Sequence, residues 1–201
     1  METVSGGKRI VGSGALVALS ALTDARDYVR EIADERRIGA DATESTFRES
    51  VAGGSSRWRT VLLACHGVSD WQYPPFSTLV LAPDEMNDGN VTVIDVAQLR
   101  VRADLVFLSA RATAIVGATA PAEAPQSLIS AFLVAGAPRV VGSLWKVDGA
   151  ATHAFTSAFF DGWRAGVSAD EALAYAQIRV REDPKWRHPA FWAGWQLWGV
   201  R

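Results

Sequence analysis

The chain has 201 residues, of which 49% are hydrophobic and 21% are charged, and its formal net charge is -2. This length fits one domain, and a nearly neutral chain has no broad electrostatic attraction to nucleic acid or to an anionic membrane surface. No apolar run reaches the roughly 18 residues of a membrane-spanning helix. The single cysteine, Cys65, excludes an intrachain disulfide, so a reducing cytoplasm is the expected compartment.

Residues 1–14 are rich in Gly and Ser, which predicts a flexible leader before one domain over residues 15–201. Short apolar runs predict strands at 15–19, 60–65, 79–81, 104–110, 139–145 and 196–199. Helical spacing predicts helices at 23–37, 44–51, 92–99, 126–135, 149–163 and 168–181, with N-caps at Thr43 and Thr92. Residues 112–125, rich in Ala, Gly, Pro and Thr, are predicted to form a long loop. The alternation predicts an α/β fold, a mostly parallel sheet with helices on both faces.

Polar residues follow three of the predicted strands. His66 and Gly67 come directly after the strand at 60–65, Arg111 follows the strand at 104–110, and Trp145 and Asp148 lie at the end of the strand at 139–145. In open parallel sheets, ligands bind outside the carboxyl ends of the strands. A His and a nucleophile on neighbouring strand ends is the arrangement of cysteine peptidases with this architecture, in which the imidazole serves the thiol and later protonates the leaving amine.

Several segments resemble the motifs of the CHAT family, bacterial caspase-like peptidases of the clan that also holds caspases, gingipains and separases. Residues 64–67, ACHG, resemble the His-Gly motif, and residues 105–113, LVFLSARAT, resemble the Leu-Ser-Ala-Cys-x-Thr motif. Residues 131–147, AFLVAGAPRVVGSLWKV, match the Ala-Gly-Ala and Ser-Leu-Trp segment. Residues 171–177 and 188–192 match the closing motifs. The order and spacing of these motifs together are specific.

The resemblance implies a caspase-like α/β/α sandwich and an ancestral endopeptidase activity through a His–Cys dyad, without a metal or an organic cofactor. It assigns proton transfer to His66 and an oxyanion hole to the backbone N–H groups of Gly67 and residue 111. Three residues are expected to line the substrate pocket: Ser143, Trp145 and Asp148. The implied partner is a protein or peptide, with no nucleic acid and no membrane; the oligomeric state is left open.

The sequence departs from the family at two positions. Arg111 stands where the motif has its catalytic cysteine, and Asp148 is followed by Gly149 where the family often has a second acidic residue. A guanidinium stays protonated and cannot be a nucleophile. We therefore expect a catalytically inactive chain, a pseudoenzyme that acts as a binding or regulatory module. The alternatives are an inactive-site variant of an active His–Cys endopeptidase and, more weakly, an unrelated flavodoxin-like ligand-binding domain.

Three residues near the site have competing interpretations. Cys65 precedes His66 in the predicted strand, so its side chain should point to the opposite face and pack in the core. Ser109 lies two residues before Arg111 and could in principle be recruited as a nucleophile, but no group that would activate it is evident. Asp148 is at least as well explained as the N-cap of the helix that begins at Gly149 as by a place in the pocket.

Overall fold

The structure, a computed structural model, describes residues 7–11, 15–19, 22–52, 57–70, 72–116 and 124–200. The described residues form ten strands: β1 (Gly7–Val11), β2 (Ala15–Leu19), β3 (Val61–Leu63), β4 (His66–Asp70), β5 (Thr78–Val80), β6 (Asn90–Thr92), β7 (Val106–Leu108), β8 (Arg111–Val116), β9 (Arg139–Ser143) and β10 (Trp195–Gly199). They also form six α-helices: α1 (Thr23–Ile32), α2 (Glu44–Ala52), α3 (Val93–Gln98), α4 (Ala124–Val134), α5 (Gly149–Arg164) and α6 (Ala169–Glu182). The predicted α/β class is confirmed.

The strands form two four-stranded sheets and one hairpin. The first sheet has the order β10-β9-β7-β3, in which β9, β7 and β3 are parallel and β10 is antiparallel. The second sheet has the order β6-β5-β4-β8, with β4 and β8 parallel and the other pairs antiparallel. The hairpin pairs β1 with β2. Parallel pairing thus occupies the centre of the fold, and antiparallel strands lie beside it.

Helices cover both faces of the first sheet, and the side-chain alternation of β7 shows how. Val106 and Leu108 are buried in a cluster with residues of α2, α3 and α4. Leu105 and Phe107 are buried in a second cluster with residues of α1, α5 and α6. Because successive side chains of a strand point to opposite faces, the sheet is the middle layer of an α/β/α sandwich, as predicted.

The ring of Phe107 shows how tightly the second cluster packs. Phe107 is fully buried, and its ring centroid lies 5.1 Å from that of Phe159, 5.3 Å from that of Phe160 and 5.5 Å from that of Trp195. Burying a phenylalanine side chain contributes about 1.5–3 kcal/mol. The strand that leads to the candidate site is therefore anchored by aromatic packing on its α5 side.

Local capping explains where the predicted helices begin. The Thr92 hydroxyl accepts a hydrogen bond from the Asp95 N–H at 3.2 Å, and the Asp95 carboxylate accepts one from the Thr92 N–H at 2.9 Å, which is a capping box at the start of α3. The Thr43 hydroxyl accepts from the Thr46 N–H at 3.2 Å at the start of α2. Both predicted N-caps are confirmed.

Three sequence predictions are corrected. The apolar run at 60–65 is not one strand: β3 ends at Leu63, and a new strand, β4, starts at His66 in the other sheet. Residues 111–116 form β8 rather than the start of a loop, and residues 117–123 of that predicted loop lie outside the described residues. The predicted helix at 23–37 ends at Ile32, because the chain becomes extended at Ala33.

Part of the predicted leader belongs to a regular element. Residues 7–11 form β1, whereas residues 1–6 and 12–14 lie outside the described residues. The division of the chain after residue 14 stays a prediction. None of the helices in the described ranges has the length and apolar character that a membrane crossing requires.

Candidate functional site

The candidate site lies where two neighbouring parallel strands cross from one sheet to the other. β3 pairs with β7 in the first sheet, and β4 pairs with β8 in the second. The chain crosses between the sheets at residues 64–65 and again at residues 109–110, which places the two crossings side by side. The residue after each crossing begins a paired strand: His66 begins β4, and Arg111 begins β8.

His66 and Arg111 are direct register partners in the parallel pair of β4 and β8. Neighbouring strands lie about 4.8 Å apart, so the two backbones are immediate neighbours. The predicted adjacency of these positions is confirmed, whereas their catalytic roles stay predictions. His66 is 4% exposed, and Gly67 beside it is also buried. The described part of residue 111 is its backbone.

A β-bulge interrupts this strand pair one residue after the site. Gly67 pairs with Ala112, but Val68 pairs with Ala114, so Thr113 has no partner on β4. A bulge bends its strand and changes where side chains point, and bulges are over-represented next to active sites. Thr113 is the threonine of the Leu-Ser-Ala-Cys-x-Thr-like segment. Thr113 is therefore the extra residue of the bulge that follows the pair of His66 and Arg111.

Two small hollows lie at the end of β7 and bring three of the predicted residues together. One, of about 30 Å³, is lined by Gly67 and Ser143 among other residues. The other, of about 10 Å³, is lined by Ser143, Trp145 and Ser109 among others. A water molecule needs roughly 10–15 Å³ of such space. The first hollow therefore has room for about two or three waters and the second for about one.

Trp145 is fixed against the loop that precedes β10. Its indole N–H donates to the carbonyl of Ala190 at 2.8 Å. A Cβ on Gly194 would lie 2.7 Å from the indole ring, so only glycine allows this close contact. The Ser143 hydroxyl donates to the Trp145 carbonyl at 2.7 Å. The ring remains 42% exposed, so Trp145 is available as the wall of a binding surface.

Asp148 acts as a helix cap. One carboxylate oxygen accepts hydrogen bonds from the N–H groups of Ala150 at 3.0 Å and Ala151 at 3.1 Å, at the start of α5. These are two of the backbone donors that an α-helix leaves without an internal partner. The cap interpretation of Asp148 is confirmed. Asp148 lines neither of the two hollows at the end of β7.

The two other nucleophile candidates are engaged elsewhere. Cys65 is fully buried, and burial raises the pKa of its thiol to about 12. Because the thiolate is the reactive form, this cysteine is inert near neutral pH, and its predicted place in the core is confirmed. Ser109 is 5% exposed, and its hydroxyl lies 2.7 Å from the hydroxyl of Tyr28 in a buried hydrogen bond.

Tyr28, which bonds to Ser109 at the crossing, is a site neighbour that the sequence interpretation missed, and Asp70 is a buried acid of β4 that it also missed. Tyr28 lies on the apolar stripe of α1, where the pattern predicts packing and not a polar contact. Asp70, at the end of β4, is fully buried, and its carboxylate accepts from the Tyr73 N–H at 2.9 Å. Asp70 follows His66 by four residues, and the two-residue period of a strand puts both on one face. This period could have predicted that His66 and Asp70 share a face, but only if the strand β4 had been placed at residues 66–70.

Residues that could hold a metal ion together are absent from the described ranges, where no group of three or more His, Cys, Asp or Glu side chains converges. The candidate site includes the buried His66, the backbone of Gly67 beside it and, at the end of β7, the partly exposed indole of Trp145. These groups can transfer a proton, bind a carbonyl oxygen and pack against a peptide.

Comparison with known proteins identifies the family. A family model for the CHAT domain matches residues 14–200. The chain is 35% identical over 109 residues to tetratricopeptide repeat protein 28 of Mus musculus and 33% identical over 136 residues to tetratricopeptide repeat protein 28 of Homo sapiens. These matches cover 54% and 68% of this chain but only 4% and 5% of the relatives. Because the family model spans nearly the whole chain, the protein belongs to the CHAT family, which is related to the caspase-like peptidases.

Proposed function

We propose that this chain is a catalytically silent CHAT domain that binds protein or peptide segments without cleaving them. The observation that carries the proposal is the register pairing of His66 with Arg111. In a His–Cys dyad, the residue opposite the histidine supplies a thiolate that attacks the substrate carbonyl. An arginine has no lone pair available for this attack at physiological pH. The nearby Cys65 and Ser109 do not replace it, since one is buried and the other is hydrogen-bonded to Tyr28.

The binding role rests on groups that do not depend on the nucleophile. The N–H groups of Gly67 and residue 111 are proposed donors to a peptide carbonyl, because backbone donors at such a position are independent of the side chain. Ser143 and Trp145 are proposed contacts of the bound peptide, and the exposed indole supports this. Asp148 is proposed to act on the site through the start of α5, since its carboxylate is occupied as a cap.

A second candidate function is that of an active His–Cys endopeptidase in which position 111 carries a variant residue. The local backbone favours it, because position 111 pairs in register with His66 and the bulge at Thr113 follows two residues later. Because the chain belongs to the CHAT family, an unrelated flavodoxin-like domain is no longer an alternative.

The cellular setting is part of the same proposal. The relatives are named as tetratricopeptide repeat proteins, which supports a setting in which this domain, residues 15–201, works with protein partners. A bacterial origin and a cytoplasmic location are proposed with it. The single, buried thiol of Cys65 supports the reducing compartment.

The test compares the unchanged chain with three variants. Arg111→Cys restores the thiol, Arg111→Ala removes the cation without adding a thiol, and Arg111→Cys with His66→Ala removes the proposed proton-transfer group. Each protein is incubated with a fluorogenic peptide library and with a peptidyl chloromethyl ketone. The ketone alkylates a thiolate by forming a C–S bond with loss of chloride.

The unchanged chain and Arg111→Ala are expected to show no turnover and no labelling. Turnover by the unchanged chain that is lost in a fourth variant, His66→Ala alone, would refute catalytic silence. Arg111→Cys is expected to be labelled faster than a free cysteine, and His66→Ala is expected to remove that advantage, because a neighbouring histidine lowers the pKa of a thiol. Labelling that ignores His66 would mean that the site has lost more than its nucleophile, and the variant-enzyme candidate would fail.

A further inference from the structure

The crossing between β7 and β8 is held by a hydrogen bond from another layer of the fold. Ser109 lies between Leu108, the last residue of β7, and Arg111, the first residue of β8. Its N–H donates to the carbonyl of Leu63 at 2.8 Å, which fixes its backbone to the neighbouring strand β3. Its hydroxyl is 2.7 Å from the hydroxyl of Tyr28 in α1. The crossing is therefore held from two directions.

Tyr28 is itself rigidly placed. It is 1% exposed within the cluster between the first sheet and helices α1, α5 and α6. Its ring centroid lies 5.7 Å from that of His153 in α5, and the Nε2 atom of His153 lies 3.0 Å from a carboxylate oxygen of Glu31 in α1. His153 of α5 therefore packs against the tyrosine ring and is itself bonded to Glu31 of α1, and the buried hydroxyl of Tyr28 lies beside Ser109.

We propose that Tyr28 is a positioning residue of the candidate site, which acts through Ser109 to fix the backbone of residues 109–111 relative to His66. The proposal rests on the proposed function in taking His66 and position 111 as the site. Tyr28 touches no reacting atom, so it is not a catalytic residue. Tyr28 fixes the position of the backbone segment that carries the N–H group and the side chain of residue 111.

The alternative is a tyrosine that only fills the core. A phenylalanine would then serve equally well, because it occupies nearly the same volume. The hydroxyl of Tyr28 and that of Ser109 are both buried, however, and a buried hydroxyl that loses its partner is unfavourable. Replacing both with apolar residues avoids that penalty but also removes the connection between α1 and the crossing. The single and double variants therefore separate the two interpretations.

The first measurement is amide hydrogen exchange by NMR in the unchanged chain, Tyr28→Phe, Ser109→Ala and the double variant. The amide at position 109 bonds to Leu63 at the crossing, and the amide of Val61 bonds to the carbonyl of Leu105 at the opposite end of the same strand pair. The exchange rate at position 109 divided by that of Val61 reports local opening at the crossing, because a change in global stability affects both rates equally. Tyr175→Phe is the matched control, since Tyr175 is 47% exposed on α6.

The exchange ratio is expected to rise about fivefold in each single variant, the factor that corresponds to losing one net hydrogen bond. The double variant is expected to show no further rise, because both single changes remove the same bond. Tyr175→Phe is expected to leave the ratio unchanged. A ratio within twofold of that of the unchanged chain in Tyr28→Phe would overturn the proposal.

The second measurement repeats Tyr28→Phe in the Arg111→Cys background and follows chloromethyl ketone labelling. Tyr28→Phe is expected to lower the maximal labelling rate several-fold with little change in the ketone concentration at half-maximal rate. A raised exchange ratio with unchanged labelling would show that Tyr28 holds the crossing without positioning residue 111, which overturns the proposal. If labelling ignores His66 even with Tyr28 intact, the proposed dyad geometry fails, and the raised exchange ratio still supports Tyr28 as the group that fixes residues 109–111.

Discussion

Removing the side chain of Asp148 separates its role as a helix cap from a role in the peptide site. One carboxylate oxygen accepts two backbone N–H groups at the start of α5, at 3.0 and 3.1 Å. Loss of an N-cap costs about 0.5–2 kcal/mol, and loss of a negative charge near the start of a helix costs about 0.3–1 kcal/mol. Asp148→Ala is therefore expected to lower the free energy of unfolding by about 1–2 kcal/mol. For a chain of this size, the midpoint of thermal unfolding would fall by about 2–8 °C.

Urea unfolding followed by tryptophan fluorescence measures this loss in Asp148→Ala and Asp148→Asn. The asparagine keeps an oxygen that can accept both hydrogen bonds, so only the charge contribution of about 0.3–1 kcal/mol should be lost. Asp161→Ala is the control, because Asp161 is an exposed aspartate near the other end of α5. Its removal is expected to change the free energy of unfolding by less than about 0.5 kcal/mol.

The reasoning is refuted if Asp148→Ala unfolds at the same urea concentration as Asp161→Ala. If Asp148→Ala keeps its stability but slows chloromethyl ketone labelling in the Arg111→Cys background, the residue belongs to the peptide site and the cap contributes nothing measurable. A loss of stability with unchanged labelling would confirm the cap as its whole role.

Three further predictions test local packing in the fold. The buried thiol of Cys65 has its pKa raised from 9.0 to about 12, so between these pH values it stays protonated in the folded chain while it ionises in the unfolded chain. The free energy of unfolding should therefore fall as pH rises through this window, and the fall should be smaller in Cys65→Ala. Gly89→Ala should lower the free energy of unfolding by more than Gly166→Ala. Both glycines have positive φ, but a Cβ at position 89 would lie 2.5 Å from a backbone oxygen, whereas one at position 166 meets no atom within 4 Å. Urea unfolding compares the two variants, and equal losses of free energy would contradict the steric argument. Gly194→Ala should displace the ring of Trp145, which lies 2.7 Å from the added Cβ, and an NMR signal of the Trp145 indole N–H that does not move would contradict this.

The helix starts were predictable because their signals are local. Thr92 and Asp95 are three residues apart, and the capping box depends only on that spacing and on the apolar pattern that follows. The adjacency of His66 and position 111 was also predictable, since each residue follows one of two neighbouring parallel strands by three positions. In both cases, the relevant contacts follow from a regular element and its period.

The crossings between the sheets were not predictable in the same way. Residues 60–65 are almost uniformly apolar, so the run carries no mark of the place where β3 ends and the chain changes sheet. Residues 111–116 include Thr113, Ile115 and Val116, and their β-branched side chains are a signal for a strand. The Ala- and Gly-rich residues that follow concealed that signal and led to a predicted loop. The hydrogen bond between Tyr28 and Ser109 joins residues 81 positions apart, and no local pattern encodes such a contact.

The position of residue 111 relative to His66 is set by backbone pairing and by groups outside position 111. The register between β4 and β8, the bond from the Ser109 N–H to Leu63 and the bond between Tyr28 and Ser109 do not involve the side chain at 111. An arginine and a cysteine at this position would therefore share one backbone arrangement. The proposed loss of turnover is in this way separable from the proposed binding of a peptide carbonyl, because the first depends on a side chain and the second on backbone N–H groups. We therefore expect that Arg111→Cys changes the chemistry of the site without requiring the fold to be rebuilt, and that the proposed binding function does not depend on which of the two residues stands at position 111.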